Sequence, residues 1–227
     1  MTPAEIQERV LAWASAEPRQ EWLLAARRQH FAREGEPHEE DKSFEARMNR
    51  LLDHYLFEFR PNQVDTTLEL FLKLGADALT TDDRAQVREL GRGVRGLFEV
   101  RRVRTGEIRV RDTFAWTEHS VVERRMAVGL EKGDLIEARL LPHEGRLHFS
   151  SAFLFHPREV RRRILREVKR QTKAAAKDGG PPDVAGFLAR MSRMALRQER
   201  YRNVRVESIY DFDAPDPALT PRPGSGA

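Results

Sequence analysis

The apolar residues of this chain change their spacing twice, and that change limits what it can fold into. Up to about Gly93 they recur at helical intervals, roughly every three or four residues. From Gly96 to His156 they alternate, as the two faces of a strand require. From Arg158 onward the helical interval returns. Helices, then strands, then helices, without βαβ alternation, predict an α+β fold.

Local signals divide the first part into helices. Thr2-Pro3-Ala4-Glu5 has the form of a capping box with proline in the first turn, and Ile6, Val10, Trp13 and Ala14 follow at helical spacing up to Glu17-Pro18. A second helix is predicted over Gln20 to Phe31, before a loop around Gly35 and Pro37. A third runs from about Lys42 to Glu58 with Phe44, Met48, Leu51, Leu52 and Tyr55 on one face. It stops at Arg60-Pro61, since the residue before proline avoids helical geometry. A fourth covers about Val64 to Leu74 and closes at Gly75, read as a left-handed cap. A fifth follows Thr81-Asp82-Asp83 and ends near Gly91 and Gly93.

The middle part reads as five short strands. GEIRVRD turns Ile108 and Val110 inward; DLIEARLLP turns Ile136, Ala138 and Leu140 inward and Glu137 and Arg139 to solvent. LHFSSAFLF puts Leu147, Phe149, Phe153 and Phe155 on one side, and Leu97 to Val103 and Ser120 to Ala127 complete the set. Turn signals at Thr105-Gly106, Lys132-Gly133-Asp134 and His143-Glu144-Gly145 separate them. Strands this short, following one another as a meander, predict a small five-stranded antiparallel β-barrel or bent sheet.

The third part is basic. Arg158 to Lys177 holds nine Lys or Arg, and eight of them (Arg158, Arg162, Arg163, Arg166, Lys169, Arg170, Lys173 and Lys177) fall within a ~140° arc of the helical wheel. Val160, Ile164, Val168 and Ala175 lie opposite. After Asp178-Gly179-Gly180-Pro181-Pro182, Asp183 caps another helix with Val184, Phe187, Leu188, Met191, Met194 and Ala195 on one side and Arg190, Arg193, Arg197 and Arg200 on the other. The organisation expected is a helical region over 1–95, a small barrel over 96–157, a basic helical segment over 158–206 and a disordered tail over 207–227.

From Met48 to Val160 the chain resembles a family of uncharacterised bacterial proteins associated with a C-terminal zinc-binding SEC-C tail. The shared pattern is LLDHYLFEF, TTLELFL, GLFEVRRVRTGEIRVRD and VVERRMAVGLEKGDLIEARLLP. The resemblance implies a helical region followed by a barrel, and no activity. The chain has no cysteine, so it departs from that family at the tail: it cannot hold zinc through such ligands. Disulfides and cysteine nucleophiles are excluded for the same reason. The N-terminus lacks the pattern of a signal peptide and no window has the length of a membrane span, which predicts a cytoplasmic protein.

Charge is unevenly placed. Net charge is −4 over residues 1–95, +1 over 96–156, +10 over 157–206 and −3 over 207–227. A focused basic segment attracts polyanions, although a solvated helix face has the same composition. The sequence therefore predicts a non-enzymatic binding protein with nucleic acid as the leading partner. Arg158, Arg162, Arg163, Arg166, Lys169, Arg170 and Lys173 would contact phosphates, extended by Arg190, Arg193 and Arg197. Trp116, in a loop between strands, would stack on an unpaired base or else anchor its own loop. The alternative is a protein-interaction or assembly module, with an acidic partner or a second copy on the apolar stripes and arginines at the rim.

A metal-dependent hydrolase or nuclease is the third reading. His30, His38, Glu39, Glu40, Asp41, Asp53 and His54 are oxygen and imidazole donors, but none has the i, i+4 histidine spacing of a helical site. Asp112 with Glu137-Ala138-Arg139 approaches a nuclease pattern but has arginine where a lysine is needed. His148 and His156, eight residues apart on one strand, would stand roughly 27 Å apart and could not share a metal. No nucleophile elbow or phosphate loop is present. No catalytic residue, metal ligand set or cofactor is assigned.

Overall fold

The computed structural model describes residues 1–77, 79–123 and 129–216. It is α+β: five helices, a small barrel, then three more helices among the described residues. The first five are α1 (Pro3–Ser15), α2 (Gln20–Glu34), α3 (Phe44–Phe57), α4 (Thr67–Leu74) and α5 (Thr81–Leu90). The capping box at Thr2 forms as predicted, and the same device recurs at Thr66 with Glu69 and Thr80 with Asp83. Each threonine hydroxyl and the acid three residues on satisfy one another's otherwise orphaned backbone N–H.

Gly75 closes α4, but not in the left-handed conformation: its φ is −122°. Its requirement is one of space, because a Cβ there would run into the Trp13 indole.

The strands are β1 (Val94–Arg104), β2 (Gly106–Asp112), β3 (Glu118–Glu123), β4 (Leu135–His143), β5 (Arg146–Phe149) and β6 (Leu154–His156). β1 is long and shifts register between Val100 and Arg102, so its two ends pair with β4 and β2. The ring closes as β1–β2–β3–β5–β4 and back to β1, with β6 added on the open edge of β4.

Three expectations need correction. The barrel is mixed rather than antiparallel, because β3 and β5 run parallel where the ring closes. The last strand is two: Ser150 turns back to the β4 backbone through Arg139 and β6 starts afresh, leaving Phe155 exposed. This break also removes the basis for the straight-strand spacing of His148 and His156, which have different neighbours: His143 for the first, Tyr210 for the second. Of the third expected strand, residues 124–127 lie outside the described residues.

Phe98, Val100, Ile108, Val110, Ile136 and Ala138 fill the barrel. A second apolar cluster joins α1, α4 and α5 to Leu141 of β4. A third joins the barrel end to α6 (Arg161–Lys177), which a 3₁₀ turn over Arg158–Val160 precedes, and to α7 (Val184–Arg200) and α8 (Val206–Ile209). Val160, Ile164, Val168 and the α7 stripe are consumed there. Of the tail expected over 207–227, Ile209, Tyr210 and Phe212 are buried, and residues 217–227 lie outside the described residues. Among the described residues, no helix is long and apolar enough to cross a membrane.

Candidate nucleic-acid interface

α6 is positioned by its apolar stripe, and burying Val160, Ile164 and Val168 fixes which way its cations face. Arg162, Arg163, Arg166, Lys169, Arg170 and Lys173 are all exposed. Among the described residues no carboxylate lies within ion-pair distance of Arg162, Arg166, Lys169 or Lys173. These four span about 60° of the helix, so they form one narrow stripe.

Lys177 is exposed and likewise without a carboxylate, and most of the other cations have partners. Arg158 bonds Asp134 at 2.7 Å and Glu131 at 2.7 Å. Arg163 donates to the Glu207 carbonyl at 3.1 Å. Arg170 pairs with Glu167 at 2.6 Å, one turn back, and with Asp213 at 2.9 Å. On α7, Arg190 donates to the carbonyls of Asp211 and Ala214 at 3.1 and 2.7 Å and lies over the Phe212 ring. Arg193 pairs with Asp216 and donates to the Arg33 carbonyl, while Arg197 is exposed beside Tyr201. The α7 arginines therefore do not extend the open stripe as it stands: the chain's own residues 211–216 hold two of them.

Trp116 is 60% exposed, and the loop that presents it is tightly built. The Asp112 carboxylate accepts from the Phe114 and Ala115 amides at 2.7 and 2.9 Å, and the Thr113 hydroxyl donates to the Leu97 carbonyl at 2.9 Å. Phe114 packs edge-on to Phe187 in the core. Trp116 itself has a positive φ of 59°, uncommon outside glycine. One face of its indole is covered by the Arg111 guanidinium, 4.3 Å away. Arg111 also contacts Glu99, and so do Arg101 and Arg161. Burial alone would raise Glu99, but hydrogen bonds from Arg161 and Arg111 outweigh it and hold its carboxyl below the usual range. Glu99 thus ties the Trp116 loop to the start of α6, a link with no signal in the local sequence.

A second charged region was not expected. Glu137 and Arg139 do not face solvent; both are buried where the outer face of β4 meets α3. Arg50 bonds Glu137 at 2.6 Å and Glu34 at 3.1 Å, and Arg95 reaches the same two carboxylates at 2.5 and 2.6 Å. Arg139 pairs with Glu58 and lies 3.6 Å from Asp53. Burial pushes Glu137 up to about 8 against the pull of Arg50. In Glu34, nearby, the arginine wins over burial and the carboxyl is lowered. Two carboxylates sharing the same cations divide in this way, one giving up its charge. The cavity among Arg50, Asp53, Glu58, Arg95, Arg139 and Ala152 is about 10 Å³, room for about one water.

The donors considered for metal or nuclease chemistry are placed elsewhere. Asp112 holds its own turn, Asp41 pairs with Arg200 at 2.7 Å and accepts from the His38 amide, and Asp53 lies at the cluster. His30 is buried and driven down to about 4 by burial, with Glu34 opposing. No group of three or more His, Asp or Glu that could hold a metal ion is present among the described residues.

Residues 27–181, well over half the chain, match the model of a family of unknown function (DUF7986). No curated protein matches the chain, and no solved structure matches it.

Proposed function

The chain belongs to this family of unknown function, and from its charge geometry we propose that it is a non-enzymatic binding protein that takes a polyanion, nucleic acid foremost, on the exposed face of α6. One observation carries this reading: Arg162, Arg166, Lys169 and Lys173 stand in a single stripe, exposed and without a carboxylate among the described residues. Four neighbouring cations on one helix face, none with a carboxylate beside it among the described residues, concentrate positive charge, and such a patch attracts polyanions. Phosphates spaced along a strand fit such a stripe, through contacts that do not depend on sequence. Trp116, linked to the start of α6 through Arg111, Glu99 and Arg161, adds a rigid ring whose outer face can take an unpaired base. A cytoplasmic, bacterial setting is part of the same proposal.

The assembly reading draws less support, since the apolar stripes it needs are buried within the chain. Fluorescence anisotropy of labelled single-stranded and duplex oligonucleotides, titrated with protein across a salt series, tests the proposal. Binding that weakens linearly in log–log form, with a slope of about −3 for four contacts, supports it. No binding at low salt overturns it.

A further inference from the structure

We propose that residues 213–216 form an acidic strap that occupies part of the basic surface in cis, and that a polyanion binds there by displacing it. The inference rests on the polyanion reading above and adds its regulation.

The C-terminal segment has two parts that differ in how they are held. Up to Phe212 it is anchored. Tyr210 is fully buried with its hydroxyl 3.1 Å from His156 Nδ1, and Phe212 stacks on Phe187 at 5.8 Å with the rings 11° from parallel. Beyond Phe212 the ties are polar side-chain contacts: Asp213 to Arg170, the Ala214 carbonyl to Arg190, and Asp216 to Arg193, whose side chain is 15% exposed. The Asp213 side chain is 85% exposed and that of Arg170 56%. Pairs of this kind are weak and screened by salt, so the strap can leave while its anchor stays.

Its chemistry is that of a substitute anion. Between 207 and 216 there are four acids and no base. Arg190 receives only two neutral carbonyls from the segment, and its buried Nε has no partner. A charged phosphate oxygen is a better acceptor for that guanidinium than a peptide carbonyl. Asp216 also stands at the edge of a groove of about 770 Å³ beside Arg190, Arg193, Phe187 and Gln171. Lifting the strap would release Arg193 from Asp216, Arg170 from Asp213 and Arg190 from the Ala214 carbonyl, while Arg170 keeps Glu167 and Arg190 keeps the Asp211 carbonyl.

The test compares the full-length protein with the Asp213→Asn/Asp216→Asn variant. Both residues lie outside the core, so a thermal melt should leave the variant unchanged. Against a labelled single-stranded oligothymidylate, the variant is expected to bind about fivefold more tightly. Its log–log salt slope should be steeper by about 1.4, the release of two further contacts. In the wild type, hydrogen exchange of the Asp213 amide, which donates to the Asp211 carboxylate at 3.0 Å, should speed up when the oligonucleotide is added. Equal affinity and slope in the two proteins, with binding intact, would overturn the strap alone. Binding by neither would overturn the polyanion reading and the strap with it, and exchange that does not change on binding would overturn displacement.

Discussion

Arg50 and Arg166 both sit on amphipathic helices, and they have opposite surroundings. Arg50 is 4% exposed and touches two glutamates from different parts of the chain, Glu34 on α2 and Glu137 on β4. Arg166 is exposed and no carboxylate reaches it among the described residues. A buried arginine cannot be left unpaired, because removing its charge from water costs several kcal/mol unless ion pairs and hydrogen bonds return it. Its pairing therefore says only that the helical region and the barrel fit together. An exposed arginine has no such requirement, because water solvates its charge with or without a neighbour. Charge in this protein has a structural use at the α3–β4 seam, and the proposal gives it an external one along α6.

The largest effect should come from breaking the seam. Arg50→Ala leaves Glu34 and Glu137 with Arg95 as their one remaining shared cation and opens a hole in the buried network, and should cost about 3–5 kcal/mol of stability in urea titration. If it cost less than 1 kcal/mol, the seam would not be what joins the two regions.

The second effect is the mirror image. Changing Arg162, Arg166, Lys169 and Lys173 together to Ala should shift the unfolding free energy by less than about 0.5 kcal/mol. The same variant should remove about three from the salt slope of nucleic-acid binding.

The pH dependence sharpens the structural side. Glu137 keeps its proton in the folded state up to about 8, well above an ordinary carboxylate. The stability this gives is present at low pH and is lost as pH rises through about 8. His30 and His156 are pushed the other way, to about 4 and about 3, by burial. Their contribution is present above the ordinary histidine range and is lost as pH falls toward those values. Below pH 6.5 the two histidines outweigh the one glutamate, and above it only Glu137 titrates. Stability should therefore peak near pH 6.5 and fall by about 2 kcal/mol at most toward pH 8. Glu137→Gln, a neutral shape mimic, should flatten the alkaline side and steepen the acid side, where Glu137 no longer opposes the two histidines. Urea midpoints from pH 4 to 9 would check both limbs.

The smallest effect concerns Trp116. Trp116→Ala should weaken single-stranded binding by about 1 kcal/mol and leave duplex binding and the melting temperature unaltered. Equal weakening of both would make the residue part of the loop's own packing.

The sequence made the helices legible because their ends carry local chemistry: Thr2 with Glu5, Gly75 after Leu74, Pro61 after Arg60. The inward faces of β2 and β4 were legible for the same reason, since Ile108, Val110, Ile136 and Ala138 alternate. The other face of β4 was not. Glu137 and Arg139 look like solvent-facing residues, and only α3, some eighty residues earlier, makes them interior. Long-range pairing of charges has no periodicity to read. The same holds for the parallel β3–β5 contact, which ring closure imposes. Tyr210 and Phe212 were hidden by the Pro, Gly and Ala that follow them, though two aromatics alternating with Asp211 and Asp213 could have signalled an anchored segment. At the candidate interface the basic face of α6 was visible at once. Which of its cations remain open, and which the chain holds for itself, required the fold.

The most direct measurement is to follow binding and stability together in the Arg162→Ala/Arg166→Ala/Lys169→Ala/Lys173→Ala variant. Anisotropy against a labelled single strand across salt would be read beside a thermal melt of the same preparation. An unchanged melting temperature is expected, with binding reduced to the residual level left by the strap-held arginines. Unchanged binding would contradict it, and so would binding lost only because the protein no longer folds.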